Sequence, residues 1–129
     1  MISVFIVDDE PVLHRLYRDI FEFNGYRVLA EAYDGEEAVR MFAEMVQKPD
    51  IILMDYRMPK MNGMEAMEKI LAIDPNVKII FASADDAIEQ LVKEGGASSF
   101  VAKPFRIKPL LEMIEQVAAG NGGRSIAGI

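Results

Sequence analysis

Residues 51–63 read IILMDYRMPKMNG, and this stretch decides the fold. Its first four residues are apolar on every side, which is the pattern of a strand covered on both faces of a sheet. Asp55 follows at once, where the buried strand reaches the surface. A carboxylate at that place is costly to desolvate unless something pairs with it or binds it. The remainder, with Met58-Pro59 and Asn62-Gly63, predicts a turn and the start of a helix.

Composition excludes several classes of protein. The 129 residues predict one domain with a real hydrophobic core. The chain has no cysteine and a single histidine, which excludes disulfides, thiolate metal sites and multi-histidine metal sites. No apolar run approaches the roughly 18 residues of a membrane span, and the amino terminus lacks the basic region of a signal peptide. We therefore expect a cytoplasmic protein. The net charge of −7 argues against nonspecific nucleic-acid binding.

Outward from the opening stretch, strand and helix patterns alternate five times along the chain. Strands are predicted at residues 2–7, 27–32, 51–54, 77–82 and 98–102. Strict alternation with short connections predicts an α/β fold, a doubly wound five-stranded parallel sheet with five helices on its two faces. Residues 1–120 form the predicted domain, the Gly-rich residues 121–129 are expected to be a flexible tail, and we expect no output domain.

The helices are assigned from their apolar stripes. Leu16 belongs to the predicted stripe of the first helix, whereas His14 is expected to be solvated, with a docking face shared with two nearby arginines as the alternative. Val46 belongs to the stripe of the second helix, which Lys48-Pro49 is expected to end. Five methionines around the opening stretch are expected to pack in the core or its loops, or else to form an adaptable partner surface. They are Met54, Met58, Met61, Met64 and Met67.

Polar side chains stand where four of the predicted strands end. Asp8 and Asp9 follow the first strand, Asp55 the third, Ser83 the fourth and Lys103 the fifth. Because the carboxyl ends of parallel strands share one edge of a sheet, these groups are expected to meet beside the switch in strand order. Three carboxylates, one hydroxyl and one ammonium group therefore define the predicted site.

This set of groups suits phosphoryl transfer. A cluster of carboxylates with no histidine or cysteine favours Mg²⁺ or Mn²⁺. An aspartate can attack phosphorus and become an acyl phosphate, and Lys103 and Ser83 can bind phosphoryl oxygens. No group is a good general base, so capture of a phosphoryl group on Asp55 fits better than sustained hydrolysis.

The same residues resemble the receiver domain of two-component response regulators, in particular the single-domain chemotaxis (CheY-like) type. The resemblance rests on Asp8-Asp9, on DYRMP around Asp55, on Ser83-Ala84 and on KPF at 103–105, and it covers residues 2–120. It implies the strand order 2-1-3-4-5 of a flavodoxin-like three-layer sandwich. It also implies that a histidine kinase phosphorylates Asp55, and that the protein is a signalling phosphoacceptor whose only catalysis is its own phosphorylation and slow dephosphorylation.

The resemblance assigns roles at the phosphorylation site. Asp9, Asp55 and the backbone carbonyl of Arg57 would bind Mg²⁺, with Asp8 acting through water. Lys103 would hold one phosphoryl oxygen. The peptide bond between Lys103 and Pro104 would be cis, a form that is accessible before proline.

The resemblance also assigns a switch and partners. Ser83 would move to bind a second phosphoryl oxygen, and the ring of Phe100 would turn inward into the space left behind. Helix 4, strand 5 and helix 5 would then present a changed surface to a downstream effector or a phosphotransfer protein. We expect a monomer or a weak phosphorylation-dependent dimer.

Two features depart from the family pattern. The interval from Ser83 to Lys103 is about two residues short, which predicts a trimmed or irregular fourth helix. Arg57 and Asp85 lie two residues beyond Asp55 and Ser83, and their opposite charges are expected to pair across the mouth of the site. Such a pair would shield the acyl phosphate from water and lengthen its life.

Plainer interpretations stand beside these. The acids and Ser83 can be helix caps or turn residues, Lys103 a surface lysine and Phe100 an ordinary core residue. Three other functions are alternatives. A flavodoxin-like cofactor binder shares the fold class, an Asp-nucleophile phosphatase for small molecules is closer in chemistry, and a pseudo-receiver would keep the fold as an interaction module. The acids after the first strand oppose the cofactor binder, which needs phosphate-binding amides there. Arg57 occupies the place of the second aspartate that such phosphatases carry.

Overall fold

A computed structural model describes residues 1–120 of the chain, and the predicted tail at 121–129 lies outside the described residues. The strands are β1 (Ser3–Val7), β2 (Arg27–Ala32), β3 (Ile51–Met54), β4 (Lys78–Ser83) and β5 (Ser99–Ala102). The helices are α1 (Pro11–Phe23), α2 (Gly35–Glu44), α3 (Gly63–Ile73), α4 (Glu89–Glu94) and α5 (Ile107–Ala118), with a 3-10 turn at Asp86–Ile88.

The sheet confirms the predicted architecture. Its five strands are all parallel and lie in the order β2-β1-β3-β4-β5. Register aligns the strand ends, because Val7 pairs with both Ala32 and Met54, and Ser83 pairs with Ala102. The residues that follow these positions must therefore gather at one edge of the sheet.

Alternate side chains of the strands build two cores, one on each face. Phe5 and Val7 point to the face covered by α2, α3 and α4, and Val4 and Ile6 point to the face covered by α1 and α5. Helices on both faces make the three-layer sandwich that the alternation predicts. The methionines follow the packing prediction, since Met54 and Met67 are buried and the other three pack partly buried against the same core.

Two predicted caps form, and one glycine brings a helix close to the site. The side chains of Asp34 and Asn62 accept hydrogen bonds from the N–H groups of Glu37 and Glu65, at 2.7 and 3.0 Å. A Cβ at Gly63 would lie 2.3 Å from the carbonyl oxygen of Asp55. Only glycine therefore allows α3 to begin directly against the end of β3.

The apolar stripe of α1 was partly mispredicted. Leu16 is 46% exposed, whereas His14 is 2% exposed and belongs with Tyr17 to the buried face of the helix. The prediction of a solvated His14 is therefore wrong. A histidine is tolerated in this buried position because both of its ring nitrogens are hydrogen-bonded.

Helix α2 ends earlier than predicted. Its last residue is Glu44, and Met45 already has an extended backbone with ψ of 126°. The ammonium group of Lys48 donates to the carbonyl of Phe42 and so satisfies an acceptor at the helix end. Val46 lies beyond the helix and is fully exposed, so the prediction that it contributes to the apolar stripe is wrong.

The fourth helix is short, as the spacing from Ser83 to Lys103 predicted. A 3-10 turn leads into α4, which has six residues and ends at Gly95-Gly96. Gly96 has φ of +117°, a conformation that favours glycine and stops the helix. Among residues 1–120, no helix combines the length and the apolarity that crossing a bilayer requires.

Candidate functional site

The predicted site residues meet in a cleft of about 440 Å³ at the carboxyl edge of the sheet. The cleft is lined by Asp9, Glu10, Asp55, Arg57, Ser83, Ala84, Asp85 and Lys103. Asp8 lies buried beneath it, at 2% exposure. The structure thus brings together the groups that the sequence placed at four strand ends.

Asp8 is the most firmly held acid of the site. One carboxylate oxygen accepts the N–H of Glu10 at 2.9 Å, and the other accepts the ammonium group of Lys103 at 3.1 Å. Its own N–H donates to the carbonyl of Ala32 at 3.1 Å. A carboxylate this deeply buried is stable only with such partners.

Asp55 lines the cleft, and its carboxylate has weaker partners than that of Asp8. Its Oδ1 accepts the N–H of Tyr56 at 2.9 Å and is 3.7 Å from the Nζ of Lys103. Burial raises the pKa of Asp55 to about 6; the charges of Asp8 and Asp9 also raise it, while Lys103 and the Tyr56 N–H act in the opposite direction. The carboxylate is therefore destabilised by its surroundings, as suits a group that gains by binding a cation or a phosphoryl group.

The three acids form a cluster whose chemistry fits a divalent cation. One carboxylate oxygen from each of Asp8, Asp9 and Asp55 lies within 4.8 Å of the others. Oxygen-only ligands of this kind suit Mg²⁺, which keeps part of its water shell. The repulsion among the three charges, which contributes to the raised pKa of Asp55, would be relieved by such an ion.

Ser83 and Lys103 are joined across neighbouring strands. The N–H of Lys103 donates to the carbonyl of Ser83 at 2.8 Å, so the two residues stand side by side. Ser83 is buried, and its Oγ accepts the N–H of Asp85 at 3.1 Å. The peptide bond before Pro104 is cis, as predicted.

Phe100 lies inside the protein. The ring is completely buried on β5, beside Phe81 in register and in the same core as Val92 of α4. Its position is that of a core residue in the inward orientation, and its role as a switch stays a prediction.

Arg57 and Asp85 form the predicted ion pair at the mouth of the cleft. A guanidinium nitrogen of Arg57 is 3.1 Å from a carboxylate oxygen of Asp85, and the two side chains are 76% and 34% exposed. The other oxygen of Asp85 accepts the N–H of Ala87 at the start of the 3-10 turn. The pair therefore connects the loop after β3 to the segment that leads into α4.

Sequence reasoning missed His14 as a residue of the site. Its Nε2 is 2.6 Å from the carbonyl oxygen of Asp8, and its Nδ1 is 2.9 Å from a carboxylate oxygen of Glu31. The sequence carried a usable signal, because His14 precedes the buried Tyr17 by three residues and so shares its face of α1. The buried hydroxyl of Tyr17, on the same face of α1, has no hydrogen-bond partner within the described residues.

Comparison with known proteins identifies the family. The family model described as the response regulator receiver domain matches residues 4–115. A chemotaxis protein CheY of Thermotoga maritima is 40% identical over 117 residues, which cover 89% of this chain and 96% of that protein. The chain therefore belongs to the response regulator receiver family and is a CheY-like member of it.

Solved structures agree with this assignment. The CheX–CheY–BeF3–Mg²⁺ complex of Borrelia burgdorferi contains a chain with a TM-score of 0.85 and 30% identity, which covers 90% of this chain and 88% of that one. The receiver domain of a sensor histidine kinase of Pseudomonas aeruginosa, with a magnesium ion in its active-site cleft, gives a TM-score of 0.81 and 29% identity, with coverage of 91% and 97%.

Proposed function

We propose that Asp55 accepts a phosphoryl group from a histidine kinase in two-component signalling, and that the phosphorylated chain changes its affinity for a partner. The observation that carries the proposal is the cluster of Asp8, Asp9 and Asp55 with Lys103 beside it, at 3.1 Å from Asp8 and 3.7 Å from Asp55. A nucleophilic carboxylate, a cation site and a fixed ammonium group are the parts that phosphoryl transfer requires.

The transfer is a single displacement at phosphorus. A carboxylate oxygen of Asp55 attacks the phosphorus of a phosphohistidine, the new O–P bond forms, and the P–N bond breaks. The electron pair of that bond leaves with the imidazole of the kinase, which then takes up a proton. Lys103 neutralises negative charge on the phosphoryl oxygens, because its ammonium group already faces the carboxylates of Asp8 and Asp55.

Asp9, Asp55 and the backbone carbonyl of Arg57 would hold Mg²⁺, with Asp8 acting through water. When bound, the ion neutralises charge on the phosphoryl group and on the acids. The closeness of the three carboxylates supports this assignment. Magnesium in the receiver domains of Borrelia burgdorferi and Pseudomonas aeruginosa supports it by analogy.

Phosphorylation would be read on the surface formed by α4, β5 and α5. To reach a phosphoryl oxygen, Ser83 would give up its hydrogen bond from the N–H of Asp85, which lies directly before the 3-10 turn that leads into α4. Phe100 shares a core cluster with Val92 of α4, so a movement of this helix would be felt at the ring of Phe100. Phosphorylation would thus shift the equilibrium between two conformations of the chain, and a partner that binds one conformation more tightly would complete the shift.

The ion pair of Arg57 with Asp85 would set the lifetime of the signal. Both side chains line the cleft that contains Asp55. Paired at the mouth of this cleft, the two side chains would shield the acyl phosphate from water and so slow its self-hydrolysis. The rate at which phospho-Asp55 decays in the wild type and in Arg57→Ala tests this role.

A direct experiment separates this function from its competitors. The purified chain is incubated with a small phosphodonor such as phosphoramidate and Mg²⁺, and intact-mass spectrometry follows a single addition of phosphate. We expect one phosphate per chain, none with EDTA, and none in Asp55→Asn. Sustained turnover of small phosphomonoesters would instead indicate a phosphatase, and the absence of any adduct would indicate a pseudo-receiver.

The output partner can be found with the same chemistry. Pull-down with and without beryllofluoride and Mg²⁺, which mimic the phosphorylated state, compares the proteins bound to each form. We expect a partner that is gained only in their presence, and expect Asp55→Asn to abolish that gain. We also propose a cytoplasmic location, and a chain that is a monomer or a weak phosphorylation-dependent dimer. Gel filtration with and without beryllofluoride and Mg²⁺ tests the oligomeric state.

A further inference from the structure

We infer that His14 is a positioning residue for the turn that carries Asp8 and Asp9, so that binding of a cation depends on a histidine that does not touch it. The inference rests on the function proposed above. In this role, a buried side chain of α1 holds the turn that carries two of the three acids of the site.

The hydrogen bonds of His14 have one consistent assignment at Asp8. A main-chain carbonyl can only accept, so the Nε2 that lies 2.6 Å from the carbonyl of Asp8 must carry the hydrogen. On the other side of the ring, Nδ1 and the carboxylate of Glu31 share a hydrogen bond of 2.9 Å. The ring therefore links the turn after β1 to β2.

The main chain of Asp8 is held on both sides as a result. Its N–H donates to the carbonyl of Ala32, and its C=O accepts from His14, which is in turn bound to Glu31. Glu31 and Ala32 are consecutive residues at the carboxyl end of β2. A main-chain hydrogen bond and a link through the His14 side chain thus connect the turn after β1 to the end of β2. Together they fix the backbone from which Asp9 projects.

The ring has little freedom to leave this position. His14 is 2% exposed, and the ring of Tyr33 covers it with centroids 4.1 Å apart. Glu31 is also held by an ion pair with Arg18 from the same helix. Since like charges on Asp8, Asp9 and Asp55 repel one another, a turn without this anchor would relax so as to separate them. The anchor keeps the acids close before any ion arrives.

Substitution of His14 by glutamine or by asparagine tests whether its hydrogen bond to Asp8, and not merely its burial, is what matters. The side-chain nitrogen of glutamine reaches about as far as Nε2 of histidine and can donate to the carbonyl of Asp8, whereas that of asparagine reaches only as far as Nδ1. His14→Gln should therefore preserve the tie, and His14→Asn should break it. Ile20→Val is the matched control, because it removes a buried methyl group from the same helix away from the site.

The decisive measurement is Mg²⁺ affinity by titration calorimetry, alongside unfolding in urea with EDTA. Loss of a group that orients a metal ligand weakens metal binding by about 10- to 100-fold. We expect about tenfold weaker binding in His14→Asn, clearly tighter binding in His14→Gln, and an unchanged affinity in Ile20→Val despite its lower stability. Equal Mg²⁺ affinities in the glutamine and asparagine variants would overturn the inference, as would a wild-type Mg²⁺ affinity in His14→Asn.

A measurement on the wild-type chain keeps the inference testable if neither variant folds. In the metal-free protein, ¹⁵N spectra of the histidine ring should show a protonated Nε2 whose hydrogen exchanges slowly with water. An unprotonated Nε2 would remove the tie and refute the inference. A wild-type chain that shows this signal but binds no Mg²⁺ would refute the proposed cation site and would overturn the functional part of the inference with it.

Discussion

Asp55→Asn should make the metal-free fold more stable at neutral pH, although it removes the proposed phosphoacceptor. The pKa of Asp55 is raised from 3.8 to about 6, chiefly by burial, so its ionised form is less favourable in the folded chain than in the unfolded one. The difference between a pKa of 3.8 and one of about 6 corresponds to about 3 kcal/mol. Because Asp55 lines an open cleft and is only partly buried, solvent screening reduces this to about 1.5 kcal/mol.

The pH dependence of this effect has a definite sign. Between about pH 4 and pH 6 the folded wild type holds the proton that the unfolded chain has lost, so its stability falls as pH rises through this window. Asparagine does not titrate. The free energy of unfolding of Asp55→Asn should therefore exceed that of the wild type by almost nothing below pH 4. The difference should grow between pH 4 and pH 6 and become constant above about pH 6.5.

Urea unfolding in EDTA at pH 4.5 and pH 7.5 measures both quantities. We expect the advantage of Asp55→Asn at pH 4.5 to be about a third of that at pH 7.5. Asp19→Asn, on the exposed side of α1, removes the same unit of charge and serves as the control. Addition of Mg²⁺ should stabilise the wild type more than Asp55→Asn. Equal stability of variant and wild type at pH 7.5, or an advantage that does not change with pH, would refute the electrostatic argument.

Three further perturbations follow from single contacts. Tyr17→Phe removes a buried hydroxyl that has no partner within the described residues, so it should raise the free energy of unfolding by about 1 kcal/mol, measured by urea denaturation; a loss would show that the hydroxyl is satisfied. Gly35→Ala would place a Cβ 2.2 Å from a main-chain oxygen and should cost about 2 kcal/mol, whereas Gly95→Ala meets mainly flexible methionine side chains and should cost less in the same assay. Arg57→Ala should speed the decay of phospho-Asp55 by about two- to fivefold, the range expected for an exposed ion pair, and unchanged decay would exclude a role for its pairing with Asp85.

The sheet and the strand-end acids could be predicted because their cause is local and strong. A run such as residues 51–54 has no polar side to expose, so it must be covered on both faces, and a charged residue such as Asp55 can follow it only at an edge. Parallel alternation then brings the strand ends together without any knowledge of side-chain contacts. The strand order itself came from the family resemblance.

The place of His14 could not be predicted in the same way. Helical periodicity ranks residues by their hydrophobicity, so it selected Leu16 and passed over a histidine whose burial depends on acceptors at Asp8 and Glu31. One partner is six residues away and the other seventeen, on a different strand. Polar burial of this kind depends on tertiary partners, which a stripe pattern does not contain. The early end of α2 has a similar cause, since Lys48 reaches back to an open carbonyl.

The short α4 gives the two sides of the cleft different resistance to local unfolding. The turn after β1 is held through Asp8 at its N–H, its carbonyl and both carboxylate oxygens, so opening it breaks several buried hydrogen bonds at once. Beyond Ser83, a 3-10 turn and a six-residue helix contain few hydrogen bonds of their own, and helices of that length gain little from their backbone alone. Amide exchange should therefore be faster at residues 84–97 than in the turn after β1. The proposed switch at Ser83 would therefore need to reorder only this small segment, at a fraction of the free energy that opening the whole domain would require.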